Sequence, residues 1–109
     1  GVAQGLGQVL GEQLVYDEQG QLVTGSFMDY QLLRAEEMPR IRTGHHVVPC
    51  TTNPIGAKGA GESGVTGSVA AAANAIRDAL HSRGVRALDL PMTPLRVWTA
   101  LRDATARQP

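Results

Sequence analysis

The chain has 109 residues with ten acidic and ten basic side chains, so its formal net charge is zero and its length allows one domain at most. Cancelled charge removes the electrostatic case for nucleic acid or an anionic membrane surface as a partner, and no apolar run reaches membrane-spanning length. The single cysteine, Cys50, excludes an intramolecular disulfide and any CxxC-based zinc or iron–sulfur site; with no visible signal peptide, the expected compartment is the reducing cytoplasm. The chain opens on Gly1 in mid-pattern, as a piece of a longer protein would. Large side chains are few and glycines number thirteen, a composition that favours a partner or a bulky ligand to complete the packing.

Residues 2–15, VAQGLGQVLGEQLV, carry Val2, Leu6, Val9, Leu10 and Leu14 at helical spacing. Gly5, Gly7 and Gly11 each weaken that helix by roughly 1 kcal/mol relative to alanine, so they mark close backbone approach by another helix or a ligand. Gln13–Tyr16 is expected to pass into a strand. Asp17-Glu18-Gln19-Gly20 is a turn signal, and with Gln21–Thr24 extended beyond it a hairpin is expected. Gly25–Met38 has no clean period. Ile41, Thr43 and Val47-Val48 alternate well enough to predict a further strand within 39–50, interrupted near Gly44. His45 and His46 are adjacent and would face opposite sides of that strand, which does not suit two ligands of one metal.

A long helix is predicted from the stripe Val65, Val69, Ala72, Ala73, Ile76, Ala79 and Leu80, with Gly84 as its C′ residue. Val85–Met92 reads as a short extended link. Thr93-Pro94 then starts a last helix, threonine capping and proline in the first turn. Leu95, Trp98 and Leu101 are its expected buried face, Arg96, Arg102 and Asp103 its wet one, and 104–109 are expected to fray. The fold class expected is therefore α+β: an N-terminal helix, a short hairpin and strands, a glycine-rich loop leading into a long helix, and a C-terminal helix.

The stretch before the long helix, NPIGAKGAGESG, holds the sharpest chemical signal. Gly56, Gly59, Gly61 and Gly64 lie within nine residues, with Lys58 and Glu62 the only charges among them. Glycines let such a loop press its backbone against something bulky, and free N–H groups at a helix start favour an anion. Gly59, Gly61 and Gly64 spell GxGxxG, but TTNPIGAK before them is no buried strand and the chain is too short for a doubly wound sheet. Lys58 is followed by Gly59, not Ser or Thr, so this is no Walker loop, and Ser63 lacks a nucleophile-elbow sequence. Glu62 remains open to two readings: an acid that complements the helix dipole, or a general base held close to a cofactor.

GAKGAGESG before an alanine-rich helix, the earlier GVAQGLGQ, the intervening YDEQGQLVTGSFMDYQLLRAEEMP and the later LDLPMTPLRVW together resemble the large subunit of the molybdenum hydroxylases. These are the xanthine dehydrogenase, aldehyde oxidoreductase and carbon monoxide dehydrogenase family, and the resemblance covers nearly the whole chain. It implies that residues 1–109 are a C-terminal segment of a larger molybdopterin-binding catalytic domain. In that family the glutamate of the glycine motif is the catalytic base, a role that falls to Glu62. Lys58, Gly59, Ala60 and Gly61 would line the cofactor pocket, and Gln4 with Gly5 would hold the pterin. No residue of the chain would ligate molybdenum, since the pterin dithiolene does so.

The resemblance further implies molybdopterin in its cytosine dinucleotide form with molybdenum, FAD and 2Fe–2S clusters on partner chains, and the remainder of the molybdopterin subunit as the immediate partner. The expected activity is oxidation of aldehydes, purines or related N-heterocycles with water-derived oxygen. Two further readings belong to other classes. One is a non-catalytic nucleotide- or anion-binding module at the helix start after Gly64; the other is a structural remnant of a split subunit.

Overall fold

Three helices carry the architecture of the computed structural model, which describes residues 1–107. They are α1 (Val2–Leu10), α2 (Ser63–His81) and α3 (Pro94–Ala106), with a 3-10 turn at Ala35–Glu37 between the first two. No helix is long and apolar enough among the described residues to cross a membrane.

Local sequence explains each helix. α1 ends at Gly11, whose N–H donates to the Gly7 carbonyl at 3.0 Å. α2 runs past Leu80 until Gly84, at φ +82, turns the chain away and donates to the His81 carbonyl. α3 starts as its sequence predicts: Thr93 Oγ1 accepts the Arg96 N–H at 3.3 Å and Pro94 occupies the first turn.

Packing begins with α1 on α2. A Cβ on Gly64 would lie 2.8 Å from Val2 N and 2.9 Å from Gly1 Cα, and one on Gly1 would lie 2.9 Å from Gly64 Cα. A Cβ on Gly5 would strike Ser68. The backbones thus meet where side chains are missing, and the approach expected for Gly5 is made by a helix. Val9 then reaches a core with Ala73 and Met92, flanked by Leu10, Val69, Ala72, Ile76, Leu88 and Val97. Met92 N–H donates to the Val9 carbonyl at 2.6 Å, satisfying an acceptor that the end of α1 leaves open. A second cluster joins Leu80, Val85 and Ala104. Arg77 and Arg96 hold the 85–92 link by its carbonyls: Arg77 Nε and Nη2 donate to Leu88 O at 3.2 and 3.1 Å, and Arg96 Nη1 to Leu90 O and Pro91 O at 3.0 Å each.

The α+β expectation is overturned. Among the described residues there is no sheet, and the only β pairing is an isolated antiparallel bridge between Tyr16 and Leu22. The turn at 17–20 forms, with Asp17 Oδ1 accepting the Gln19 and Gln21 N–H groups at 3.0 and 2.8 Å, but the expected hairpin goes no further than that bridge. The strand expected within 39–50 is absent as well; residues 39–49 are exposed throughout, Val47 at 80%. Alternation describes side chains only, and a strand also needs a neighbour for its N–H and C=O groups. The 15–24 arms share two backbone hydrogen bonds, Val23 N–H to the Val15 carbonyl at 2.8 Å and Asp17 N–H to the Gln21 carbonyl at 3.0 Å, too few for a strand. Among the described residues the 39–49 segment pairs with no strand.

α3 also departs from expectation. Leu95 and Trp98 are 70% and 56% exposed, whereas Val97, Ala100, Leu101 and Ala104 pack inward. The small Ala100 and Ala104 let the helix come close to Leu80 and Val85, and Arg102 covers the exposed Trp98 ring at 5.0 Å. The helix continues to Ala106 with Ala104 buried, so the fraying expected from 104 does not occur there; 108–109 lie outside the described residues.

The Cα radius of gyration, 18.5 Å, exceeds the roughly 13 Å of a compact chain this long. Phe27 and Met28 stand 85% and 95% exposed, so the core serves the helices and leaves the connecting segments uncovered. A polar contact ties those segments to Glu12, just past the end of α1. Tyr30 Oη donates to Glu12 Oε2 at 2.6 Å, and that hydrogen bond, with partial burial and the carboxylate's charge, holds the Tyr30 pKa above the ordinary phenol value.

Two outcomes are expected. Gly64→Ala drives a Cβ into the α1 backbone and lowers stability by about 1–3 kcal/mol, whereas Gly67→Ala, with nothing within 4 Å, raises it by up to about 1 kcal/mol through helix propensity; thermal unfolding compares them. In a phenolate absorbance titration Tyr30 ionises above the ordinary range. Because its folded pKa is raised, its stabilising effect is complete below the unfolded phenol pKa and is lost as pH rises through the folded one, and Glu12→Ala removes that alkaline loss.

Candidate active site

The glycine loop approaches α2 as an open segment. Glu62 is the N-cap residue of α2, but its backbone (φ −99, ψ 0) is helical rather than extended and its side chain makes no cap hydrogen bond. Neighbouring groups are held instead. Ser63 Oγ and Ser63 N–H both donate to the Ala60 carbonyl, at 2.8 and 3.3 Å, and Thr66 Oγ1 and N–H donate to the Glu62 carbonyl at 2.8 and 3.0 Å. The carboxylate itself has no hydrogen bond or ion pair among the described residues; the ion pairs formed there are Arg34–Glu36 and Arg102–Asp103.

Lys58, Gly59, Ala60, Gly61 and Glu62 are all exposed. A Cβ built on Gly59 or Gly61 meets nothing within 4 Å, so the loop borders open volume. The clefts lined by Phe27–Arg34 and by Gly84–Ala87 with Ala100 include none of these residues. The chain therefore presents one wall here, not an enclosed pocket.

The Gly1–Gly64 contact sets a second surface beside that wall. It brings the start of α1, with the exposed Gln4 and the buried Gly5, against the start of α2. Gly5 faces α2, so its role in the fold is helix packing, and Gln4 next to it is exposed. The two groups of expected site residues, far apart in sequence, lie on adjoining helix starts. His45 and His46 are exposed in the 39–49 segment.

Upstream lies a cluster that sequence reasoning missed. Cys50 Sγ is 3.0 Å from Thr52 Oγ1, and Cys50 N–H donates to the Gly56 carbonyl at 3.0 Å. Hydrogen bonding from the Thr52 hydroxyl, then from the Thr52 backbone and Asn53, holds the thiol pKa below its ordinary value despite some burial. The Asn-Pro-x-Gly signature of 53–56 is the signal that marks this turn.

Residues 1–39, which include Gln4 and Gly5, match the molybdopterin cofactor-binding domain family. Over 103 residues the chain is 41% identical to the carbon monoxide dehydrogenase large chain of Hydrogenophaga pseudoflava, covering 94% of this chain and 13% of that one. The chain is thus similar to part of a molybdopterin-binding large subunit of the molybdenum hydroxylases. It is also 42% identical over 102 residues to the nicotine 6-hydroxylase large subunit of Paenarthrobacter nicotinovorans, covering 94% of this chain and 12% of that one. A crystal structure of the Cu,Mo-CO dehydrogenase in its carbon monoxide reduced state aligns with a TM-score of 0.85 at 33% identity, over 97% of this chain and 13% of that chain. The chain thus spans about an eighth of the length of the relatives it matches.

The thiol offers a direct measurement. Thr52→Val removes the leading hydrogen bond to Cys50, so the thiol pKa rises and alkylation by iodoacetamide near neutral pH slows. Alkylation rate against pH reads the shift.

Proposed function

We propose that this chain is the C-terminal segment of a molybdenum hydroxylase large subunit and supplies the general base, Glu62, together with part of the pterin pocket. The observation that carries the reading is a carboxylate at a helix start that, among the described residues, makes no cap hydrogen bond and no ion pair, on a glycine loop open to one side. The residues fit a bulky cofactor: Gly59 and Gly61 leave free the volume that side chains would fill, and the start of α1 adjoins that of α2. Lys58, Gly59, Ala60 and Gly61 would hold the group by backbone N–H and by close approach, and the Gln4 carboxamide would hydrogen-bond to the pterin beside Gly5. Molybdopterin as cytosine dinucleotide is the form this reading takes, with FAD and 2Fe–2S clusters on partner chains.

When bound, the molybdenum centre supplies the redox chemistry, accepting the electron pair of the substrate C–H bond. Glu62 accepts at a carboxylate oxygen the proton of the water-derived hydroxyl, which makes that oxygen a nucleophile toward an electrophilic carbon. Its lack of a local partner among the described residues supports this use, because both carboxylate oxygens stay free to accept. Aldehydes, purines and N-heterocycles share such a carbon.

In the assembled enzyme, Glu62→Gln is expected to lower hydroxylation by at least about 10²-fold while molybdenum and pterin contents stay at the native level. Turnover near the native rate in that variant would remove Glu62 from the base role.

A further inference from the structure

One side chain holds the chain just before the open loop begins. Asn53 Nδ2 donates to the Ala57 carbonyl at 2.8 Å, and Ala57 N–H donates to Asn53 Oδ1 at 3.0 Å. A single carboxamide therefore satisfies both backbone groups of one residue. Asn53 also opens the turn ahead of it: Gly56 N–H donates to the Asn53 carbonyl at 3.2 Å, with Pro54 in the position where its fixed φ is favoured. Gly56, at φ +67, returns its own carbonyl to Cys50 N–H at 3.0 Å. Residues 50–57 form a closed ring in consequence, with Asn53 reaching across it.

Beyond Ala57 the support stops. Among the described residues, the hydrogen bonds from 58–62 to other parts of the chain are those that Ser63 makes to Ala60 and Thr66 makes to Glu62, all from the α2 side. Gly59 and Gly61 have open surroundings and no side chain to stiffen the path. Where Glu62 sits is then decided by two anchors, α2 after it and Ala57 before it.

We propose that Asn53 is a positioning residue for Glu62, fixing through Ala57 the course of the loop that carries the carboxylate. The role rests on the reading of Glu62 as the base. Only a carboxamide of this length both accepts and donates at Ala57: an aspartate keeps the acceptor and loses the donor, and an alanine loses both.

The test compares Asn53→Ala, Asn53→Asp and Glu62→Gln in the assembled hydroxylase. Asn53→Ala is expected to lower kcat on the order of 10²-fold, as a displaced catalytic group does, with KM and molybdopterin content near native. Amide hydrogen exchange over 57–62 speeds up in the same variant. Asn53→Asp, keeping one of the two hydrogen bonds, falls between it and the native enzyme in both readouts. Native exchange in Asn53→Ala overturns the clasp, and so does faster exchange with native kcat while Glu62→Gln is inactive; the base reading survives either result. Loss of molybdopterin in step with kcat, or failure of both Asn53 variants to assemble, makes Asn53 a structural residue and overturns positioning. Native turnover in Glu62→Gln removes the base itself, and the role of Asn53 with it.

Discussion

The meeting of two glycine backbones, Gly1 and Gly64, is the contact on which the arrangement depends. With a side chain at either position a Cβ would lie within about 3 Å of the opposite main chain, closer than carbon atoms approach in folded proteins. Gly5 extends the close approach along α1 to Ser68, and Val9 ends it in the core with Ala73 and Met92. Because α1 is short and carries two internal glycines, its own helical propensity is low, and packing against α2 has to supply its stability. The contact that holds α1 therefore also joins the two parts of the candidate site.

The rest of the chain depends on this core without enlarging it. Two small buried clusters bind α1, α2, α3 and the link through Val85 and Met92, whereas the stretch from Gln13 to Ala60 contributes no fully buried residue. That stretch is shaped by local hydrogen bonds: Asp17 in its turn, Ser26 with Asp29, Glu37 on Arg34 N–H, and Asn53 on Ala57. Each is worth about 1 kcal/mol net, enough to select a loop conformation but not to replace a core. Phe27, Met28, Val47 and Ile55 stay exposed for that reason.

The helices were legible in the sequence because their signals are local: Thr93-Pro94 before α3, Gly84 after α2, the apolar stripe from Val65 to Leu80. The α+β fold class was misread because the signals at 13–24 and 39–50 were local too, while a strand is a relation between two segments. The inward face of α3 was misjudged on size. Leu95 and Trp98 are the larger apolar groups, yet Ala100 and Ala104 face inward because the clearance to Leu80 and Val85 suits a methyl group. In the site, Glu62 and its glycines stood out by composition. Asn53 did not, since an asparagine before proline reads as an ordinary turn residue, and the Gly1–Gly64 contact leaves no periodicity that a window of sequence can detect.

Glu62 is not a capping acid, although its charge at the start of α2 still complements the helix dipole. An acid serving α2 as a cap would adopt extended backbone and accept an N–H of the first turn, for about 1 kcal/mol of helix stability. Glu62 has helical φ and ψ, so its side chain is not led back to those N–H groups, and it makes no such bond. Local order comes from Ser63 and Thr66, whose hydroxyls donate to the Ala60 and Glu62 carbonyls. The helix forgoes the usual cap, hydroxyls tie down the backbone on the α2 side, and the carboxylate stays unpaired where the glycines leave room. A charge kept free at a helix start brings α2 less stability than a capping one would, and it leaves both carboxylate oxygens open to a group beyond the chain, as the proposed base role requires.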